Sequence, residues 1–456
     1  MQSERSTSYP LVHTVFPVLV FFLAAIFSGV LEKLPILAGL HILTIVGGAA
    51  LIVVAISGRL QDVAKHPISK TLMWFTVWFI FCIPFASWRG GSFAVLQNIW
   101  LKAALSYVLV AGCILTIEQS KTIFKTMGYS VGVLATITLA LGGTDNTGRL
   151  GLLNTRYENA NDLGWTLILG LSFLTFLFSR GNGLQRVLAI ALSVPILLAL
   201  VKTGSRASMV GFGVLAIFGF LQAPRAMKIR LGLIVPVVLA VLVFVTPKEL
   251  RMRYTTIFGQ RSAAMEAGGY LTEEQRLQET AKESADQRWR LLKDSAYLTL
   301  TNPLVGVGPG DFAVAQEHLA LDRGEMRGAW RVTHNTYTQI SSEMGIPGLV
   351  MFLALFVRCL KSLNAIIRTR YSGSDGQDLR AMAKSLRATL VMLLTVAFFG
   401  SFGYDTNIPV LAGMACALSL IAQRQSKLLN ASRQASSALA VPPEPALEPA
   451  WTPTTM

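Results

Sequence analysis

Apolar runs of about 20 residues, each long enough to cross a hydrocarbon core of ~30 Å as a helix, recur along nearly the whole chain. No other feature constrains the fold as much. In lipid every backbone N–H and C=O must be satisfied within the protein, which only helices or a closed barrel can do. The short alternating pattern of barrel strands is absent. An all-α polytopic membrane protein is therefore expected. Of the 456 residues, 52% are hydrophobic and 14% charged, with a mean hydropathy of +0.52. A soluble domain carries roughly 25% charged residues.

About twelve spans are read, centred near residues 21, 46, 79, 107, 132, 170, 192, 213, 238, 349, 394 and 415. Alternate connections are rich in Lys and Arg: Arg59, Lys65 and Lys70; Lys121 and Lys125; Arg180 and Arg186; Arg225, Lys228 and Arg230; Arg358 to Arg387. The opposite connections are poorer, and "GSFGYDTNIP" has neither residue type. Positive-inside bias places both termini in the cytoplasm. The formal charge of +15 is thus an orientation signal, and no nucleic-acid partner is expected. The first apolar run lacks a small-residue cleavage site and reads as a retained anchor. Cys82, Cys113, Cys359 and Cys416 fall in apolar runs without metal-ligand spacing and are expected to be free thiols.

One connection breaks the pattern. Residues 247–335 form a polar segment on the non-cytoplasmic side, too long for an idle loop. It divides the chain into an N-terminal bundle of about nine spans (1–246), the periplasmic helical segment between spans 9 and 10 (247–335), about three C-terminal spans (336–425) and a disordered cytoplasmic tail (426–456). Within the segment "TEEQRLQETAKESADQRWRLLKDSAYLTL" reads as an amphipathic helix, and "TNPLVGVGPGDF" as a Pro/Gly-punctuated turn.

Cationic residues gather on the same outer face. Arg149 and Arg156 lie between spans five and six, Lys202 and Arg206 between seven and eight, and Arg288 and Arg290 in the long segment. An Arg or Lys at a span end is often only a snorkelling anchor. Arg206 lies between Ser205 and Ser208 in a connection too short to be solvated, so its charge needs a partner nearby. Guanidinium groups match phosphate oxygens two at a time, which suits a pyrophosphate. Other chemistries find little support. "GVGPG" (306–310) lacks the Lys-Ser/Thr of a phosphate-cradling loop. His318 and His334 lack zinc-site spacing, no paired acidic motif for Mg²⁺ stands on the outer face, and Asp375 and Asp378 read as solvated in a cytoplasmic loop. No metal or cofactor is expected.

His334-Asn335, nine intervening residues, then Gly345-Ile346-Pro347-Gly348 resembles the signature of bacterial O-antigen ligases. "TGSRAS", "RW" followed by "NPLVGVGPGDF", and "NTRYENANDLGW" stand in the order and on the membrane side of the O-antigen ligase/polymerase superfamily, over roughly residues 130–420. "NTRYENAN" departs from the simpler Pro-Asn pair frequent in relatives, which bears on the donor or acceptor pocket. The resemblance implies His334, Arg206 and Arg288 as catalytic residues, with Arg149, Arg156, Asn335, Lys202 and Trp289 binding substrate. It implies a metal-independent, inverting glycosyltransferase moving a polysaccharide from undecaprenyl pyrophosphate to lipid A-core on the periplasmic face. The donor's leaving group needs no general acid. A histidine of ordinary pKa near 6.5 can take the acceptor proton while arginines hold the departing charge. The alternatives are an O-antigen or exopolysaccharide polymerase, a protein O-oligosaccharyltransferase, and, outside enzymes, a transporter of lipid-linked glycans or solutes.

Overall fold

The computed structural model describes residues 9–34, 42–145, 147–223, 273–324, 331–371 and 373–439, with Arg225, Lys228, Ile229 and Leu233 besides. The helices are α1 (Pro10–Ser28), α2 (Val30–Lys33), α3 (Ile42–Ile56), α4 (Arg59–Lys65), α5 (Pro67–Cys82), α6 (Arg89–Val95), α7 (Leu101–Cys113), α8 (Ile117–Leu141), α9 (Ala160–Arg180), α10 (Gly183–Lys202), α11 (Arg206–Gln222), α12 (Glu273–Thr301), α13 (Phe312–Asp322), α14 (Thr336–Arg368), α15 (Gly373–Val396) and α16 (Asn407–Leu439). A π-helical turn, Leu96–Trp100, joins α6 to α7. The one described sheet is a two-stranded antiparallel ribbon, Gly143–Thr144 with Leu150–Gly151. The chain is an all-α multi-pass membrane protein.

Among the described residues eight helices are long and apolar enough to span a membrane, and α3 with α4 makes a ninth if counted as one span. That pair bends by 87° where Gly58 turns at a φ of +78°. Two more expected spans are present in altered form. α11 has 17 residues, short for a crossing. α15 is apolar only beyond Arg387, because its first half carries Asp375, Asp378, Arg380 and Lys384. The span expected near residue 238, and residues 247–272, lie outside the described residues. The expected amphipathic helix is α12.

Two expectations need correction. Asp378 is not solvated: it is 5% exposed and takes ion pairs from Arg180 of α9 and Lys121 of α8. A carboxylate so placed gains two cations for its lost water. The tail does not begin at 426 either, because α16 runs on to Leu439. "QRQSKLLNASRQASSAL" is rich in helix formers, and the first Pro beyond α16 is Pro442. Residues 440–456 lie outside the described residues.

α9 lies at the centre, buried along most of its length. Small residues let neighbours approach: a Cβ on Gly170 would meet Val131 of α8, and one on Gly164 would meet Ser208 of α11. Ser172 bonds Thr389 of α15 at 2.6 Å, and Ser385 donates to the Ser172 carbonyl. These contacts fix α15 against α9.

α14 is broken one-third of the way along. Gly345 adopts φ +70° and ψ −177°, and Pro347 follows. The break strands three carbonyls, and each finds a donor outside the helix. Ile346 N–H turns to Pro303 O (2.8 Å), so Ser342 O accepts from Val307 N–H instead (2.8 Å). Pro347 has no N–H, so Glu343 O accepts from Gly308 (3.0 Å). Met344 O accepts from the Trp78 indole (2.9 Å). The "NPLVGVGPG" turn is therefore the hydrogen-bonding complement of the break. A Cβ on Gly345 would stand 2.0 Å from Leu304 O.

Gly345→Ala combines that clash with a left-handed φ, a strain of about 1–3 kcal/mol before the clash is counted. Gly213, inside α11, has nothing within 4 Å of where a Cβ would stand. Thermal unfolding in detergent should show a clear loss of apparent Tm for Gly345→Ala and none for Gly213→Ala. Equal melting of the two variants would contradict the role given to the break.

Candidate functional site

His334 immediately precedes α14 and adopts φ +53°, one of three described non-glycine residues in the left-handed region. That conformation is strained for a residue with a Cβ, and it persists because its neighbours are tied down. Asn335 caps α14, its side-chain oxygen accepting from Tyr337 N (2.9 Å) and Thr338 N (3.2 Å). Thr333 bonds Ser401 at 2.7 Å and donates to Asn335 O. Successive turns of α14 then hold the 397–405 loop: Thr336 N–H donates to Ala397 O, Thr336 Oγ1 to Gly400 O, and Gln339 accepts from Gly403 N. The His334 backbone is thus fixed by the last inter-helix loop.

The imidazole is partly buried, and its pKa is pushed down to about 4 by burial first and then by the charges of Arg288 and Arg331. Arg288 therefore stands close enough to His334 for its charge to be felt. Arg331 was not foreseen. It lies three residues before His334 with no motif around it, and "WRVTHN" gives no periodicity that would aim it. An ordinary histidine pKa was also assumed, because burial is not visible in the sequence.

The other expected residues form a second group at the same end. Arg149 donates from Nε to Thr203 O (2.9 Å) and from Nη2 to Asn161 (2.7 Å). Ser205 donates to the same Asn161 oxygen (2.9 Å) and caps α11 through Ser208 N–H. Arg206, half-buried, is the first residue of α11. A cation there faces the positive end of the helix dipole, an arrangement an anion would relieve. Lys202 ends α10 and is exposed. Arg156 is ion-paired to Glu32 through its guanidinium and also donates its backbone N–H to the same carboxylate. Trp289 is exposed on α12 with the Lys293 ammonium 5.3 Å from its ring centre.

Asp405 links the two groups. It sits on the loop that α14 holds, accepts from Asn407 and feels the charge of Arg156; burial raises its pKa. Asp162, on the first turn of α9, feels both Asp405 and Arg149. Phe402 stacks on Trp165 at 5.4 Å, bringing the loop against α9. These two acids stand far apart in sequence, so no local motif announced them. Among the described residues no group of three or more His, Cys, Asp or Glu is placed to hold a metal ion.

A multi-pass helical membrane protein with a partly buried histidine and several arginines gathered at one end is the class that fold and site define. The sequence model of a family described as O-antigen ligase matches residues 188–353. The likeness to the O-antigen ligase superfamily is thereby shown over the stretch holding Arg206, Arg288 and His334. No curated protein matches the sequence. A solved structure titled "Structural coordination of polymerization and crosslinking by a peptidoglycan synthase complex" is similar at 14% identity, over 78% of this chain and 96% of that one, with a TM-score of 0.41. That likeness is too slight to argue from.

A neutral imidazole reacts with diethyl pyrocarbonate, and a protonated one does not. Between pH 7 and pH 5 an ordinary histidine peptide should lose about 25-fold in rate, given a pKa near 6.5. His334 should lose little over that interval, because its pKa of about 4 keeps it neutral at both values. Peptide mass spectrometry reads the modification at His334 alone. A fall matching the free peptide would mean that burial and the two arginines do not act as described.

Proposed function

We propose that this protein is an O-antigen ligase-type glycosyltransferase. It moves a polysaccharide from undecaprenyl pyrophosphate to lipid A-core at the periplasmic face of the inner membrane, with both termini cytoplasmic. The observation that carries this reading is a partly buried histidine in a strained backbone, near Arg288 and Arg331, inside a stretch that matches the O-antigen ligase family. The long segment, 247–335, contributes Arg288, and the C-terminal spans contribute the helix that seats His334.

In the proposed reaction the acceptor hydroxyl gives its proton to the free imidazole nitrogen of His334. The oxygen then attacks the anomeric carbon on the face opposite the pyrophosphate. The bond from that carbon to the phosphate oxygen breaks, and undecaprenyl pyrophosphate leaves with the electron pair, inverting the configuration. Arg288, Arg331 and Arg206 stabilise the developing negative charge, and no metal is required. Arg149 and Asn161 support the turn carrying Arg206, while Lys202 and Trp289 border the substrate. Asn335, whose side-chain oxygen caps α14, and Arg156, paired to Glu32, act by holding their loops in place.

A pKa near 4 makes His334 neutral but a weak base. The anionic donor offsets this: it neutralises the arginines, lets the imidazole hold a proton more readily, and raises the pKa in the complex. Base catalysis requires the neutral form, so activity is lost as pH falls through the pKa. The acid limb of kcat/KM, which reports free protein, should lie near pH 4, and that of kcat at higher pH. Arg331→Gln removes a cation that disfavours the imidazolium, so it should move the kcat/KM limb upward by about half a unit to one unit. A limb unchanged in Arg331→Gln would remove Arg331 from the site.

The polymerase reading shares the histidine and the arginines, so the acceptor must decide. Purified protein given polymer-linked donor and lipid A-core should form the joined product, and His334→Ala should lose roughly 10²-fold or more. A strain lacking the gene should carry bare core and accumulate full-length polymer on undecaprenyl pyrophosphate. Core bearing a single repeat unit would instead assign the protein as the polymerase.

A further inference from the structure

We propose that Glu343 is a positioning residue, whose buried carboxylate locks the 306–312 turn and the Tyr404 loop onto α14 and thereby sets where Arg288 stands relative to His334. The proposal builds on the glycosyl-transfer reading.

Glu343 lies two residues before the Gly345 break and is 3% exposed. One carboxylate oxygen receives both Gly310 N–H (2.9 Å) and Tyr404 O–H (2.7 Å). The carboxylate also takes the Phe312 N–H. The three donors come from two chain segments, the 306–312 turn and the loop before α16. A buried carboxyl group needs such partners, because each of its oxygens has lost its water. The turn is held from its other side as well. Asp311 accepts from Trp88 N–H (2.6 Å), Ser92 donates to Pro309 O (2.9 Å), and Ser87 N–H donates to Val307 O (2.7 Å).

The turn continues α12, and α12 carries Arg288 thirteen residues before its end at Thr301. At 1.5 Å per residue that is a rigid arm of about 20 Å, so a tilt of ~10° at the turn would displace Arg288 by about 3 Å. Near the pivot α12 is tied to α14 through Thr299 and Ser341 (2.9 Å). Misplacement by about 1 Å can reduce a rate by 10². Glu343 thus touches neither donor nor acceptor and acts through the arm. The same carboxylate holds Tyr404, and with it Asp405 beside Arg156.

The test uses the full-length protein in lipid nanodiscs, with spin labels on Asp286→Cys in α12 and Val332→Cys beside His334, both exposed positions; the native cysteines are buried. Glu343→Gln retains the shape but replaces one of the two acceptor oxygens with an N–H₂ group that cannot accept. It should broaden the label-to-label distance distribution by several ångströms and lower kcat by at least ~10-fold, with donor KM changed less. Tyr404→Phe removes one of the three donors and should produce a smaller change of the same kind. Should Glu343→Gln fail to fold, Tyr404→Phe alone decides. An unchanged distance distribution in a folded variant would overturn the proposal, whether or not activity falls. If His334→Ala retained transfer, the functional reading would fail while the distance result stood, so the two failures are separable.

Discussion

A helix that breaks inside a membrane exposes backbone carbonyls that lipid cannot satisfy. At Gly345 and Pro347 this constraint is met entirely by other parts of the chain: Val307 and Gly308 donate N–H groups, and Trp78 donates its indole. The arrangement couples three elements that are distant in sequence. α14 cannot break without the turn, and the turn cannot hold its shape without Gly306, whose added Cβ would stand 2.3 Å from the Glu343 carbonyl carbon. The first two turns of α14, freed by the break from the direction of the span below, then seat His334 and bind the 397–405 loop.

Electrostatics at that end run against the usual preferences of a membrane protein. Arg288 and Arg331 approach a partly buried imidazole, and Arg206 opens a helix at its positive pole. A polyanion bound there would be favoured by all three cations. In the proposed reaction the pyrophosphate is that polyanion and makes the base stronger as it binds.

The opposite end of the bundle solves a different problem. Asp378 draws Arg180 and Lys121 together, joining α15 to α9 and α8 where α15 is too charged to face lipid. Glu118 pairs with the same Lys121, so two carboxylates balance the two cations at this joint. Polar contacts of α9 with α15 through Ser172, Thr389 and Ser385 continue the joint into the membrane.

The apolar runs determined the class of fold, because their length and lack of charge admit only membrane helices. "TEEQRLQETAKESADQRWRLLKDSAYLTL" announced its helix through period and composition, Arg206 stood out through its residue type and its place in a short connection, and His334 and Arg288 were singled out by the resemblance to O-antigen ligases. Breaks were less legible: hydropathy averages over a window, so it reports neither the 87° bend at Gly58 nor the charged first half of α15. Arg331 and Asp405 were invisible as site residues, because nothing local distinguishes them from solvated charges. Asn335 and Arg156 have the residue types of binding groups, yet in the fold a helix cap engages the one and Glu32 the other. Sequence thus determined which chemistry is available, since side-chain type is local. Tertiary structure decided which groups are buried, paired or strained, since those depend on contacts between residues far apart along the chain.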